Sequence, residues 1–226
     1  MRVGRPVAAF GVTSANSGRS TTTVRANTGV RMNDRLGQPG LPHGLVGRML
    51  GGVMRWHNRP DNEWTLSLLD IRDNEQMLEV GFGPGAAIRL ASQLNASVRI
   101  TGVDHSPEML AAAERLNHDA VAEGRVRLTL GSADHLQFAD NSFDKVYSIN
   151  CIYFWPAPAR GLSELYRVVK RGGLVAITVR DKERPPYDAF RPEKLTNSLI
   201  EAGFSSVAIN RNDVPSHPLI CAVGTK

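Results

Sequence analysis

The 226 residues hold 42% hydrophobic side chains, 27 Lys and Arg against 22 Asp and Glu, and two cysteines, an ordinary balance able to bury one sizeable core. No apolar run nears the ~20 residues of a membrane-spanning helix, and Cys151 and Cys221 lack the number for a disulfide framework and the spacing for a zinc site. The net charge of +5 sits in residues 1–40, where six Arg face one Asp. Residues 41–226 carry 21 charges of each sign, so the basic balance is no sign of a nucleic-acid-binding face.

Residues 1–40 are rich in Ser, Thr, Gly, Asn and Arg without apolar periodicity, and read as a disordered tail. Their acid-poor composition also resembles an organelle transit peptide, so cytoplasmic location is the expectation and import through the tail the alternative. Residues 41–226 read as one domain with a helical cap at 41–71. Leu45, Val46, Met49, Leu50, Val53 and Met54 recur at helical spacing, and a second helix is expected from Pro60 through Trp64, Leu66, Leu68 and Leu69.

After Asp73-Asn74, short apolar strands alternate with helices. Strands are expected near 76–81, 98–103, 126–131, 144–150, 173–180, 205–211 and 218–224, and helices near 86–95, 106–123, 157–170 and 191–202. This alternation predicts an α/β fold, a doubly wound, Rossmann-like parallel sheet. The last two strands, joined by a turn at Pro215-Ser216, read as antiparallel.

The most informative stretch is 77–88, where a buried strand carries Glu79 and then meets Gly81, Gly83 and Gly85 before a helix opens. Glycines at such a junction let the chain turn tightly and a ligand approach the backbone. Asp104 ends the next strand, placed either to cap the helix behind it or to hold the two hydroxyls of a ribose. An adenosine ligand fits both features. Gly81, Gly83 and Ala86 also satisfy the dinucleotide pattern, which leaves an NAD(P)-dependent oxidoreductase open. A carboxylate at Glu79 would repel a pyrophosphate and attract an ammonium or sulfonium, which favours S-adenosylmethionine (SAM) as the cofactor.

The segment Glu79-Val80-Gly81-Phe82-Gly83-Pro84-Gly85 resembles the first motif of the class I SAM-dependent methyltransferases that act on small molecules (type 11-like). Residues 101–107 (TGVDHSP), 131–134 (GSAD) with 138–146 (FADNSFDKV), and 162–177 (LSELYRVVKRGGLVAI) match in order, though Arg171 stands where Pro is usual. The resemblance implies a seven-stranded sheet in the order 3-2-1-4-5-7-6 with strand 7 antiparallel. It also implies that Asp104, with His105 beside it, holds the ribose and that Ala133 and Asp134 meet the adenine. Glu79, Gly81, Gly83, Gly85 and Asn150 complete the expected cofactor site, and no metal is expected. A SAM-binding regulatory subunit without catalysis fits the same residues.

Methyl transfer asks little of side chains beyond alignment of the acceptor, with a general base only where the acceptor arrives protonated. Tyr153, in the aromatic segment 150–155, is the candidate catalytic residue, either to position an acceptor or to deprotonate it. Phe154 and Trp155 read as pocket wall or core, Cys151 as a small buried residue, and His43 and His57 as solvated or packed histidines with a base as the alternative. A short lid with several apolar groups suits a small organic acceptor. The expected partners are that acceptor alone, with no nucleic acid and no membrane, in a monomer or homodimer.

Overall fold

Proline opens four of the helices, where its missing N–H costs nothing and its fixed φ suits the first turn. The computed structural model describes residues 58–213 and 218–226. Helix α1 (Arg59–Ser67) carries Pro60 in its first turn and precedes β1 (Gln76–Val80). Then follow α2 (Ala86–Leu94), β2 (Arg99–Asp104), α3 (Pro107–Leu116), α4 (His118–Ala122), β3 (Val126–Leu130) and β4 (Phe143–Ile149). The chain ends with α5 (Pro158–Val168), β5 (Val169–Arg180), α6 (Pro192–Glu201), β6 (Ser205–Asn212) and β7 (Leu219–Thr225). The tail 1–40, the apolar segment 45–54, His43, His57 and the Pro215-Ser216 turn lie outside the described residues.

The seven strands form one sheet in the order β3-β2-β1-β4-β5-β7-β6. All pairs are parallel except those of β7, which runs antiparallel to both β5 and β6. Side chains alternate along β1, so Leu78 and Val80 enter one apolar cluster with Leu162 and Leu165 of α5 and Leu195 and Leu199 of α6. Met77 enters the other, with Leu66 of α1, Ile88 of α2 and Ala113 of α3. This is the expected doubly wound class, with helices on both faces.

Two elements differ from the sequence reading. The helix expected over 106–123 breaks at Asn117, whose side-chain amide donates to Gly85 O (3.1 Å) and Ala113 O (2.9 Å). Strand β5 begins at Val169, earlier than expected. Its register slips between the Phe143–Val169 and Lys145–Leu174 pairs, so Arg171, Gly172 and Gly173 lie in a bulge rather than in a turn before the strand.

Candidate cofactor and acceptor site

Parallel strands deliver their carboxyl ends to one edge of the sheet, and ligands of doubly wound folds bind there. Strand β1 ends in the glycine loop. Gly81 (φ +81°), Gly83 (φ +53°) and Gly85 (φ +79°) all take the left-handed conformation that L side chains resist. At Gly81 a Cβ would also overlap the Cys151 thiol, while at Gly85 it would lie 2.6 Å from Asn117 Nδ2. Above Gly83 a Cβ would meet nothing within 4 Å, which leaves open space on the loop.

The loop amides point inward. Gly81 N donates to Val103 O (2.7 Å), Gly83 N to Asp104 Oδ2 (2.8 Å) and Gly85 N to Phe82 O (2.9 Å). These N–H groups are committed to the protein and cannot cradle a pyrophosphate, which weighs against the dinucleotide alternative. Asp104 is buried at the end of β2, and its Oδ1 accepts from Ser106 N at 3.0 Å. Each carboxylate oxygen has a second lone pair, so both can still accept from a ribose. His105 follows with a half-exposed ring, Nδ1 3.6 Å from Asp104 Oδ1.

Glu79 is 3% exposed, and its Oε2 has no hydrogen-bond partner. Burial pushes its carboxyl well above the usual carboxylate range, the nearby Tyr147 hydroxyl pulls it back, and the Asp104 charge raises it further. Tyr147 pairs with Glu79 across β4 and is fully buried, yet its hydroxyl also lacks a hydrogen bond of ordinary geometry, so the contact between the two is weak. Beside them, burial pushes the Cys151 thiol up to about 12, and it stays neutral. An orphaned buried carboxylate oxygen next to an open glycine loop suits a ligand that brings a positive charge. The residues present fit SAM.

Strand β3 leads to the residues expected on the adenine side. Ala133 is buried, and Asp134 accepts a short hydrogen bond from the Ser132 hydroxyl, which lowers its pKa despite partial burial. The loop beyond is pinned by Arg167 of α5, which donates to Leu136 O (2.8 Å), Phe138 O (2.7 Å), Glu164 and Asp140.

At the end of β4 lies a polar network that the sequence reading missed. Asn150 takes φ +51°; its Nδ2 donates to Asp61 Oδ2 (2.7 Å) and its Oδ1 accepts from the Tyr153 hydroxyl (3.0 Å). That hydroxyl in turn accepts from Arg180 N (2.8 Å). The Arg180 guanidinium lies 3.5 Å from Asp61 Oδ2 and donates to Asn58 Oδ1 (2.9 Å), while Thr65 and Thr178 hydroxyls meet at 2.7 Å. Helix α1 therefore docks through Asp61, Asn62 and Thr65 beside Leu66 and is no purely apolar roof. The signal was in the spacing: Asn58, Asp61, Asn62 and Thr65 form a polar stripe on one helical face.

The Tyr153 ring packs edge-on against Tyr187 (4.9 Å), Phe154 (5.8 Å) and Phe190 (5.8 Å). Burial raises the pKa of its phenol far above the ordinary value, so it holds its proton at neutral pH. Trp155 is buried against Gly161, whereas Phe154 is half exposed. Among the described residues no group of three His, Cys, Asp or Glu side chains is placed to hold a metal, and no helix is long and apolar enough to cross a membrane.

Residues 78–177 match the methyltransferase domain family. Across 179 residues the chain is 32% identical to the uncharacterized methyltransferase YdaC of Bacillus subtilis, covering 78% of this chain and 97% of the relative. The chain belongs to the class I SAM-dependent methyltransferases. Phosphoethanolamine N-methyltransferase 2 of Caenorhabditis elegans is 37% identical over 114 residues, 50% of this chain, but this methyltransferase spans only 25% of it. The ubiquinone/menaquinone biosynthesis C-methyltransferase UbiE of Geotalea daltonii is 34% identical over 121 residues, 52% of each chain. A Haloferax volcanii methyltransferase solved with the Trm112 methyltransferase activator shares the fold at 20% identity, with a TM-score of 0.67 over 78% of this chain and 93% of its own.

Proposed function

We propose that this methyltransferase binds SAM along the carboxyl edge of β1, β2 and β3 and moves its methyl group to a small organic acceptor seated between the β4 turn and α1. One observation carries the reading: Glu79 lies buried, with an orphan oxygen and no cation among the described residues, beside the open face above Gly83. SAM supplies a methyl already activated on a sulfonium and an ammonium to face that carboxylate. Glu79 holds the methionine half, Asp104 and His105 the ribose, and Ala133 and Asp134 the adenine. The Asn150 side chain is spent on Asp61 and Tyr153 and its N–H on Thr178 O, so it shapes the β4 turn and leaves its backbone carbonyl to the ligand.

Tyr153 acts in this reading as a positioning residue. Its hydroxyl is committed at both lone pair and proton, which suits a wall that orients the acceptor better than a base that strips it. A small acceptor is supported by relatives whose names specify phosphoethanolamine N-methylation and C-methylation in ubiquinone/menaquinone biosynthesis, and by the compact polar lid of α1. Residues 1–40 are proposed to be a dispensable tail of a domain spanning 41–226, so deletion of Met1–Gly40 leaves melting temperature and cofactor affinity unchanged.

Calorimetry with SAM, S-adenosylhomocysteine and NADH tests the cofactor. Single-site binding of the two adenosyl ligands and silence with NADH is the expected result; tight NADH binding without a response to SAM overturns it. Labelled SAM incubated with a metabolite extract then identifies the acceptor.

A further inference from the structure

Glu79 faces a problem of charge. It shares the sheet face of Met77, next to an apolar cluster, and 3% of it reaches solvent. The titratable groups that bear on it are Tyr147 from β4, Asp104 from β2 and Cys151 from the turn after β4. Two of those are neutral at ordinary pH and the third is another acid; no Lys, Arg or His among the described residues bears on it. An ionised carboxylate buried without a cation is costly enough that proteins neutralise the group instead.

From this geometry we infer that Glu79 is a neutral acid in the free methyltransferase and releases its proton when the ligand's ammonium arrives, with Tyr147 as the positioning residue that sets how readily it does so. The inference rests on the SAM reading of the site and deepens it. The step balances: the Glu79 O–H bond breaks, the proton passes to bulk buffer, and the carboxylate forms an ion pair with the incoming ammonium. Tyr147 Oη lies near the carboxylate and favours its charged form, yet no ordinary hydrogen bond holds either atom. Both atoms are free to tighten onto an ionised Glu79 once the charge is matched.

Coupling of this kind makes affinity depend on pH. Below the Glu79 midpoint, binding releases one proton, so the association constant rises by up to about tenfold per pH unit and levels off above the midpoint. Removing the Tyr147 hydroxyl takes away a group that favours the carboxylate, so the levelling shifts to higher pH.

The test is calorimetric titration of S-adenosylhomocysteine into the full chain, in buffers of different ionisation enthalpy and across pH. S-adenosylhomocysteine carries the ammonium and lacks the sulfonium; 5′-methylthioadenosine carries neither. We expect close to one proton released with S-adenosylhomocysteine and none with 5′-methylthioadenosine. Glu79→Gln should bind S-adenosylhomocysteine at least tenfold more weakly without proton release, and Tyr147→Phe should keep the release but move the midpoint upward. Melting curves at each pH establish that the variants are folded. Binding without proton exchange overturns the inference and leaves the SAM reading standing, as does equal release from Glu79→Gln. Release by SAM but not by S-adenosylhomocysteine overturns the ammonium as its cause. Failure of every adenosyl ligand to bind the native chain overturns the SAM reading and the inference with it.

Discussion

The two edges of the central sheet handle buried charge in opposite ways. At the amino edge, Lys145 is 6% exposed but lies 3.4 Å from Glu75, whose other oxygen accepts from Arg72 N at 2.9 Å. Asp144 beside it accepts from Lys170 Nζ (2.8 and 2.9 Å) and from Gln76 N (2.8 Å). At the carboxyl edge, Glu79 is buried as deeply with no cation beside it among the described residues, and Asp104 is held by the Gly83 and Ser106 amides with the His105 ring 3.6 Å away. At the amino edge these acids have their cations; at the carboxyl edge Asp61 has Arg180 in the same way, and Glu79 stands apart as the acid that the proposed ligand would match. A buried acid left without a cation marks where a ligand can bring one, and that is where function is to be sought.

The largest effect is expected at Gly81. An alanine there adds left-handed strain of about 1–2 kcal/mol and an overlap with the Cys151 thiol worth about 1–3 kcal/mol more. Gly81→Ala should lower the melting temperature by roughly 2–4 °C for each kcal/mol and abolish cofactor binding. Gly83→Ala sharpens the point, because its Cβ meets open space. That variant should stay folded, within about 1–2 kcal/mol of the native chain, yet lose affinity as the methyl fills the ligand's approach. Equal melting of the two variants would show that the overlap at Cys151 is relieved by movement.

Lys145→Ala tests the amino edge. It leaves the partly buried Glu75 with only the Arg72 amide, at a cost of up to about 3 kcal/mol, the low end for breaking a buried pair. Cofactor affinity, measured by calorimetry, should not change. Asp104→Ala is its counterpart across the sheet and should weaken SAM binding by about 1.5–3 kcal/mol, the loss typical of hydrogen bonds to a charged group. A stability loss without an affinity loss would reduce Asp104 to the cap of the loop and of Ser106.

These two edges were not equally legible in the sequence. Glu79, the glycines and Asp104 lie in short motifs whose spacing carries its own meaning, so the carboxyl edge could be read, and the strand order followed from the family resemblance. The polar pairing of the amino edge joins residues such as Asp144 to the Gln76 amide, 68 positions apart, and Lys145 to Glu75. The Asp61–Asn150 and Asn58–Arg180 bonds span 89 and 122 positions. Nothing local announces such partners. Even the polar stripe on α1 predicts only that a helix face meets polar groups, not which ones. The early start of β5 was hidden because Gly172 and Gly173 read as a turn, whereas a bulge can absorb them within a strand.

The smallest effect separates the edges most sharply, because it concerns sign. Burial raises the pKa of Asp144, but the Lys170 ammonium and the Gln76 amide outweigh it and hold the carboxyl below its ordinary value. Its contribution to stability is therefore present above the unfolded carboxylate pKa of about 3.9 and is lost as pH falls through the folded one. Both side chains are partly exposed, so Lys170→Ala should cost no more than about 1 kcal/mol at neutral pH. The melting-temperature gap to the native chain should close on acidification and shrink in high salt. Glu79 runs the other way. Its folded pKa lies above the unfolded one, so its contribution is fully present in acid and is lost as pH rises. In the ligand-free protein, Glu79→Gln should therefore gain stability over the native chain as pH rises from about 4.3. Melting curves of the two variants across pH should thus diverge from the native chain in opposite directions toward neutrality, Lys170→Ala below it and Glu79→Gln above. A Glu79→Gln curve that falls relative to the native one as pH rises would mean that Glu79 is already matched by a cation, and the two edges would be alike.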